Sequence, residues 1–312
     1  MGIPAGGASR RMTDQRTPVA IAVDLGGTKL SAAAINPDGA MLYRDKILLS
    51  GLDVTSCVQE IAQIVQRITG ELALSLQAIA GIGLVIPGIY SAETGMGWAP
   101  NLWGHQEVPL RAELNRLLSC PIAIDSDRVG YVLGESWLGA ARGLKDVVFL
   151  SVGTGIGAGI LSDGRILRGA GGIAGAVGWF SLTPEWEEIY RQIGCWEAEC
   201  AGPGLARRGH RGSPEEVVAA ARGREPQASR AVARAGEYLG AGVANIVSIL
   251  NPRMIVLGGG LMQAGDLFLE SVKRGVARWA QPVAARQVQI EMTRLGEDAG
   301  LFGAARLVLG GA

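Results

Sequence analysis

Paired cysteines, an excess of either charge, and long apolar runs are all missing from this 312-residue chain. The four cysteines, Cys57, Cys120, Cys195 and Cys200, have no paired spacing, which argues against a disulfide framework and for reduced thiols in the cytoplasm. Lysine plus arginine and aspartate plus glutamate each total 29, so no global field draws nucleic acid or an anionic membrane. No apolar run approaches a membrane span, and the N-terminus has no signal-peptide core. Residues 1–16, small, polar and basic, are expected to be a flexible tail with Met12 as an alternative start. Gly6 stands where a myristoylation motif needs Ser or Thr.

What is present is an ordinary enzyme-like balance, 48% apolar and 19% charged, with 47 glycines that fall in turns. The most informative of these turns follows the apolar run Val19-Ala20-Ile21-Ala22-Val23 and reads Asp24-Leu25-Gly26-Gly27-Thr28-Lys29. Glycines bring backbone N–H groups close to phosphate oxygens, and an acid at a strand end can hold magnesium, directly or through water. A second copy begins at Gly153-Thr154-Gly155 and aligns, with one deletion, from there to Asp163-Gly164. Each copy is an apolar strand, a Gly-Thr turn, a small-residue strand and an Asp-Gly turn. Such self-similarity implies duplicated units. Two phosphate-facing hairpins describe a nucleotide clamped between them.

Residues 19–25, 30–35 and 41–49 read as strands of a meander whose later turn is Pro37-Asp38-Gly39. Val58, Ile61, Ile64, Val65 and Ile68 recur at helical spacing within 54–69. A buried strand over 79–86 stops at Pro87-Gly88. Another over 122–125 leads into a helix over 128–138. The hairpin sheet repeats at 147–167, followed by a long helix over 229–250, a strand over 254–257 and the turn Gly258-Gly259-Gly260. Segments 261–279, 288–291 and 299–309 complete an α/β pattern of duplicated halves around a cleft.

Taken in order, these motifs resemble the ROK family of sugar kinases. That resemblance implies duplicated actin-like ATPase (ribonuclease H-like) lobes around a central cleft. It covers nearly the whole chain after Thr17 and implies a small lobe over 17–124, completed by a C-terminal helix at 298–312, and a large lobe over 125–297. Asp24–Lys29 and Gly153–Gly157 resemble the phosphate motifs, Ala99-Pro100-Asn101-Leu102 the sugar-contacting loop, and Ser126-Asp127 with Gly134-Glu135 the catalytic segment. The turn after residue 257 and the run Gly296-Glu297-Asp298-Ala299-Gly300 resemble the nucleotide side and the C-terminal helix. The resemblance makes Asp127 the general base; from the residues alone, Ser126 and Asp127 equally suit helix capping. Asp125 reads as a structural acid. ATP and phosphate fall to Asp24, Gly26, Gly27, Thr28, Lys29, Gly153, Thr154, Gly155, Gly258 and Gly259, with Asp24 on magnesium. Substrate falls to Gly88, Asn101, Asp127, Glu197 and Trp179.

Two departures from the family pattern stand out. Many members carry a Cys-x-Cys-Gly-x-x-Gly-Cys zinc loop and a ligating His; here only Cys195 remains, and Glu188, Tyr190 and Trp179 hold the other positions. Zinc needs about four ligands, so no zinc site is expected; Cys195, Cys200 and His210 are the only conceivable replacement. At the sugar end, the acid that usually contacts hydroxyls is Ala176 and the usual His is Trp179, whereas Glu197 is retained. The resemblance implies an ATP-dependent kinase for the primary hydroxyl of a hexose-like substrate. The altered loop suits an amino sugar such as kanosamine or a C7-cyclitol of an antibiotic pathway. An ordinary glucokinase and a sugar- or nucleotide-sensing pseudokinase are the alternatives. A homodimer is expected by resemblance, with no nucleic-acid or membrane partner; some members add a DNA-binding domain ahead of the kinase part, and none is expected here.

Overall fold

The computed structural model describes residues 18–49 and 53–310; the expected N-terminal tail, with Met12, lies outside them. The first sheet starts with β1 (Ala20–Leu25), β2 (Lys29–Ile35) and β3 (Met41–Leu48), an antiparallel meander. Helix α1 (Val54–Glu71) crosses to β4 (Gly81–Ile86), which pairs parallel with β1. Asp53 starts α1 by accepting the Ser56 N–H at 2.7 Å, and the apolar positions that set the helical spacing are buried against the sheet.

Beyond β4 the chain makes a three-stranded antiparallel sheet, β5 (Ile89–Tyr90), β6 (Gly97–Trp98) and β7 (Glu107–Val108). The short α2 (Pro100–Trp103) interrupts it and α3 (Leu110–Leu117) follows. Strand β8 (Ile122–Ser126) then rejoins the first sheet parallel to β4 and turns directly into α4 (Asp127–Trp137). The order is β3-β2-β1-β4-β8.

The second sheet repeats this plan. β9 (Val147–Val152), β10 (Ile156–Ser162) and β11 (Arg165–Ile166) form an antiparallel meander. Helices α5 (Tyr190–Ile193), α6 (Cys195–Cys200), α7 (Gly202–Gly209), α8 (Pro214–Arg222) and α9 (Pro226–Leu250) intervene. Strand β12 (Met254–Gly258) pairs parallel with β9; α10 (Gly265–Trp279) and α11 (Pro282–Gln287) precede β13 (Gln289–Met292), parallel to β12. The order β11-β10-β9-β12-β13 matches the first sheet strand for strand, in sense as well as sequence. The duplication read from two hairpins therefore extends to five strands. The last helix, α12 (Ala299–Leu309), returns to the first sheet and packs Leu301, Ala304 and Ala305 against Ala20, Ala22 and Val85.

The backbone divides one segment and moves the start of one helix. The segment 261–279 is not one helix: a 3-10 turn over Gly260–Ala264 comes first, and α10 begins at Gly265. Glycines at 258, 259, 260 and 265 weaken helical preference there. The long helix starts at Pro226, earlier than residue 229, because proline is tolerated in the first turn, where its missing N–H is unneeded. The helices of 190–222 and the elements of 97–117 have no counterpart in the sequence reading, being too short to show a period.

Candidate active site

Asp24 lies one residue from the end of β1, in register with Ser31 of β2 and Val85 of β4. Its carboxylate rests on the first turn of α12, where Gly300 has no side chain. A Cβ there would come within 2.2 Å of Asp24 Oδ2 and 3.2 Å of Tyr131 Cε1. Burial pushes the Asp24 carboxyl from 3.8 up to about 7, helped by the negative charges of Asp127, Asp298 and Glu297 and opposed by Lys29.

Asp127 is the first residue of α4. The cap is Ser126, whose hydroxyl accepts the Val129 N–H at 3.4 Å, so capping does not occupy Asp127. Burial raises the Asp127 carboxyl to about 6, while the Arg128 charge and the Arg128 N–H, 2.7 Å from Asp127 Oδ1, hold it down. Tyr131, one helical turn along α4, was not singled out in the sequence. Burial together with Asp127 and Asp24 lifts its phenol well above its usual range. The i, i+4 spacing from Asp127 was the available signal.

The two phosphate turns close alike. Gly26 N–H donates to Lys29 O at 2.8 Å, and Gly153 N–H to Gly155 O at 2.9 Å. These two amides are thus spent on the turns. Thr28 and Thr154 are exposed at the tips, and among the described residues the N–H groups of Gly27, Thr28, Thr154 and Gly155 have no backbone partner. Lys29 Nζ is 2.9 Å from Glu297 Oε2, so its charge is already answered within the protein. A Cβ on Gly153 would sit 3.5 Å from Gly260 N, and Gly153 O accepts the Gly202 N–H at the start of α7 at 2.8 Å. The structure therefore gathers Gly153–Gly155, Gly258 and Gly259, and the unforeseen Gly202 on one side.

Glu197, on α6, reaches the second turn: its Oε2 accepts the Ile156 N–H at 2.8 Å, and burial raises its carboxyl. Gly88 is pressed on Trp98 and Ala99, so close that a Cβ would be 2.0 Å from Trp98 O; this seats the turn carrying Asn101, which is exposed on α2. Trp179 stands beside Gly194 with 56% of its surface open. Asp125 acts as a structural acid: Arg168 Nε and Nη2 hold its Oδ2 at 3.0 and 2.7 Å. That pair ties the loop after β11 to β8.

Around α5, α6 and α7 lies a buried ionic brace. Glu199, 1% exposed, accepts from Tyr190 Oη at 2.7 Å, from Arg234 Nη2 at 3.1 Å and from Arg208. Burial alone would raise its carboxyl, yet the bonds from Tyr190, Arg208 and Arg234 outweigh burial and hold it below the ordinary value. Cys200 Sγ donates to Trp196 O, and Cys195 is buried beside Tyr190. His210 is the left-handed cap of α7.

The family model described as "ROK family" matches residues 20–310. The chain belongs to the ROK family. A glucokinase of Halalkalibacterium halodurans is 30% identical over 92% of this chain and 94% of its own. The ROK hexokinase of Thermus thermophilus superposes with a TM-score of 0.80 at 29% identity, covering 93% of this chain and 97% of that one. A ROK family glucokinase from Streptomyces griseus, solved with glucose and AMPPNP, gives 0.76 at 25%, over 93% and 98%. The twofold-repeated sheet of this ROK protein is accordingly the actin-like ATPase architecture. None of its described helices is long and apolar enough to cross a membrane.

Proposed function

We propose that this ROK protein is an ATP-dependent carbohydrate kinase that transfers the γ-phosphate to the primary hydroxyl of a hexose-like substrate. The observation that carries the reading is the carboxylate pair: Asp127 at the start of α4, poised at about 6, beside Asp24 at about 7. A base with a value near working pH is ionised and still able to take a proton in the transition state. Asp127 accepts the hydroxyl proton. The free N–H groups and threonine hydroxyls of the two turns meet the phosphates, and Asn101 and Glu197 orient the substrate.

Asp24 also fits magnesium, which keeps waters and takes one or two carboxylates alongside phosphate oxygens. Among the described residues no three His, Cys, Asp or Glu side chains converge to cage a metal by themselves. When bound with nucleotide, the ion supplies countercharge to the triphosphate; Asp24 would hold it, directly or through water.

The substrate reading rests on Ala176 and Trp179. Losing one charged hydrogen bond costs roughly 1.5–3 kcal/mol, and an open tryptophan face offers only one N–H donor. An altered ring, an amino sugar such as kanosamine or a C7-cyclitol, suits that wall better than glucose. A division into lobes at 124/125, with α12 completing the first, goes with this reading, as do a cytoplasmic homodimer and function without zinc. The open Trp279 and Ile249 on α10 and α9 supply an apolar face for a second copy.

The deciding experiment is coupled ADP release with glucose, amino hexoses and valiolone-type cyclitols, with ATP and magnesium. Turnover of an altered ring above glucose is expected. Efficient glucose turnover exceeding all others would make the protein an ordinary glucokinase, and binding without any ADP release would make it a sensor.

A further inference from the structure

Arg128 follows Asp127 directly and has no place in the reading above. Its side chain is half-buried and leaves α4 across β10 at Gly157, where a Cβ would meet Arg128 Cδ at 2.7 Å. It then runs to the turn after β4, where Nη2 lies 3.5 Å from Gly88 O. Gly88 is the residue seated on Trp98 and Ala99, immediately before the Asn101 turn. The guanidinium thus ends at Gly88, which is itself packed on the two residues before Pro100-Asn101, and its charge acts on Asp127. Its one contact there is long, and a guanidinium carries five N–H donors.

The acids nearby are already committed. Asp125 is held twice by Arg168, and its Oδ1 accepts the Ser126 N–H at 2.8 Å. Glu197 faces the Ile156 N–H on the other hairpin. Residue 176, on the loop that folds back to this region, is alanine. No carboxylate forms an ion pair with Arg128 among the described residues, and Asp127 is the base itself. Donors from a fixed cation favour oxygen acceptors, whereas a second cation brought beside it is repelled.

We propose that Arg128 is a specificity-determining residue: it admits rings that offer oxygen acceptors, hydroxyl or carbonyl, and rejects rings carrying an ammonium. The inference rests on the kinase reading and narrows it. Of the two altered substrates, it selects the neutral cyclitol over the amino sugar.

The test compares kcat/KM for glucose and a valiolone-type keto cyclitol with that for glucosamine and kanosamine, all near neutral pH. The wild-type protein should prefer the neutral rings by at least about tenfold. Arg128→Met keeps length without charge and should shrink that preference by a similar factor; Arg128→Lys should keep it. A merely structural Arg128 would lower kcat for every ring alike and leave the ratio unchanged. Amino sugars used as well as neutral rings, or an unchanged ratio in Arg128→Met, overturns the inference while the kinase reading stands. Where ADP release is absent for all four, calorimetric binding of the same compounds gives the ratio and the kinase reading falls separately. Binding of none overturns both.

Discussion

At the first phosphate turn the Gly26 amide closes on Lys29 O, and at the second the Gly153 amide closes on Gly155 O, yet the carboxylates beside them are placed in different ways. Asp24 comes from within its own strand and has acidic neighbours. Glu197 arrives from a helix distant in sequence and is met by a backbone N–H. Gly300 makes room for the first carboxylate; Gly155, where a Cβ would be 2.7 Å from Glu197 Oε2, makes room for the second. Duplication has copied the backbone device but not the charge. The first carboxylate is left among like charges, opposed by Lys29 alone. The second has a single backbone N–H to oppose its burial.

The strongest way to break this contrast is to remove the base. Asp127→Asn keeps size and fold, and kcat is expected to fall about 100- to 10,000-fold. It also relieves Asp24 of a like charge, so NMR titration of Asp24 should move down from about 7. Near-full kcat in that variant would remove Asp127 from the mechanism.

On the braced side, Glu199→Ala leaves Arg208 and Arg234 without their buried partner. Breaking such a pair costs roughly 3–5 kcal/mol, and denaturant unfolding should show that loss. Chelators should leave the wild-type Tm unmoved, and stoichiometric zinc in purified protein would instead revive a Cys195, Cys200 and His210 site.

pH sharpens the comparison further. Asp24 and Asp127 have folded values of about 7 and about 6 against an ordinary 3.8. Between these limits the folded protein retains protons that the unfolded chain has released. Stability of the nucleotide-free protein should therefore fall as pH rises from about 4 to about 7, then level off. Activity should run the other way, kcat/KM rising through about pH 6 as Asp127 ionises. A flat profile across pH 5–7 by thermal melts and kinetics would contradict both. The smallest effect is expected from Arg168→Ala. Arg168 is half exposed but Asp125 is buried, and the carboxylate keeps the Ser126 N–H, so the loss should be about 1–3 kcal/mol by chemical denaturation.

The sequence by itself determined the two glycine turns, the strands on either side of them, α1, α9 and α12, and the candidate roles of Asp24 and Asp127. Those features are local: an apolar run, a 3.6-residue period or a turn residue is written in neighbouring positions. The resemblance read from it led to the expectation that Glu188, Tyr190 and Trp179 stand where zinc ligands would. The tertiary structure decided the rest. Only packing of α12 on the first sheet puts Gly300 under Asp24 and brings Glu297 to Lys29, more than 250 positions along the chain. Only the crossing of α4 over β10 carries Arg128 to Gly88, and only the cluster of α6, α7 and α9 assembles Glu199 with its arginines. Each is a contact between residues far apart in sequence, fixed by how buried faces pack and by where burial leaves a charge to be answered.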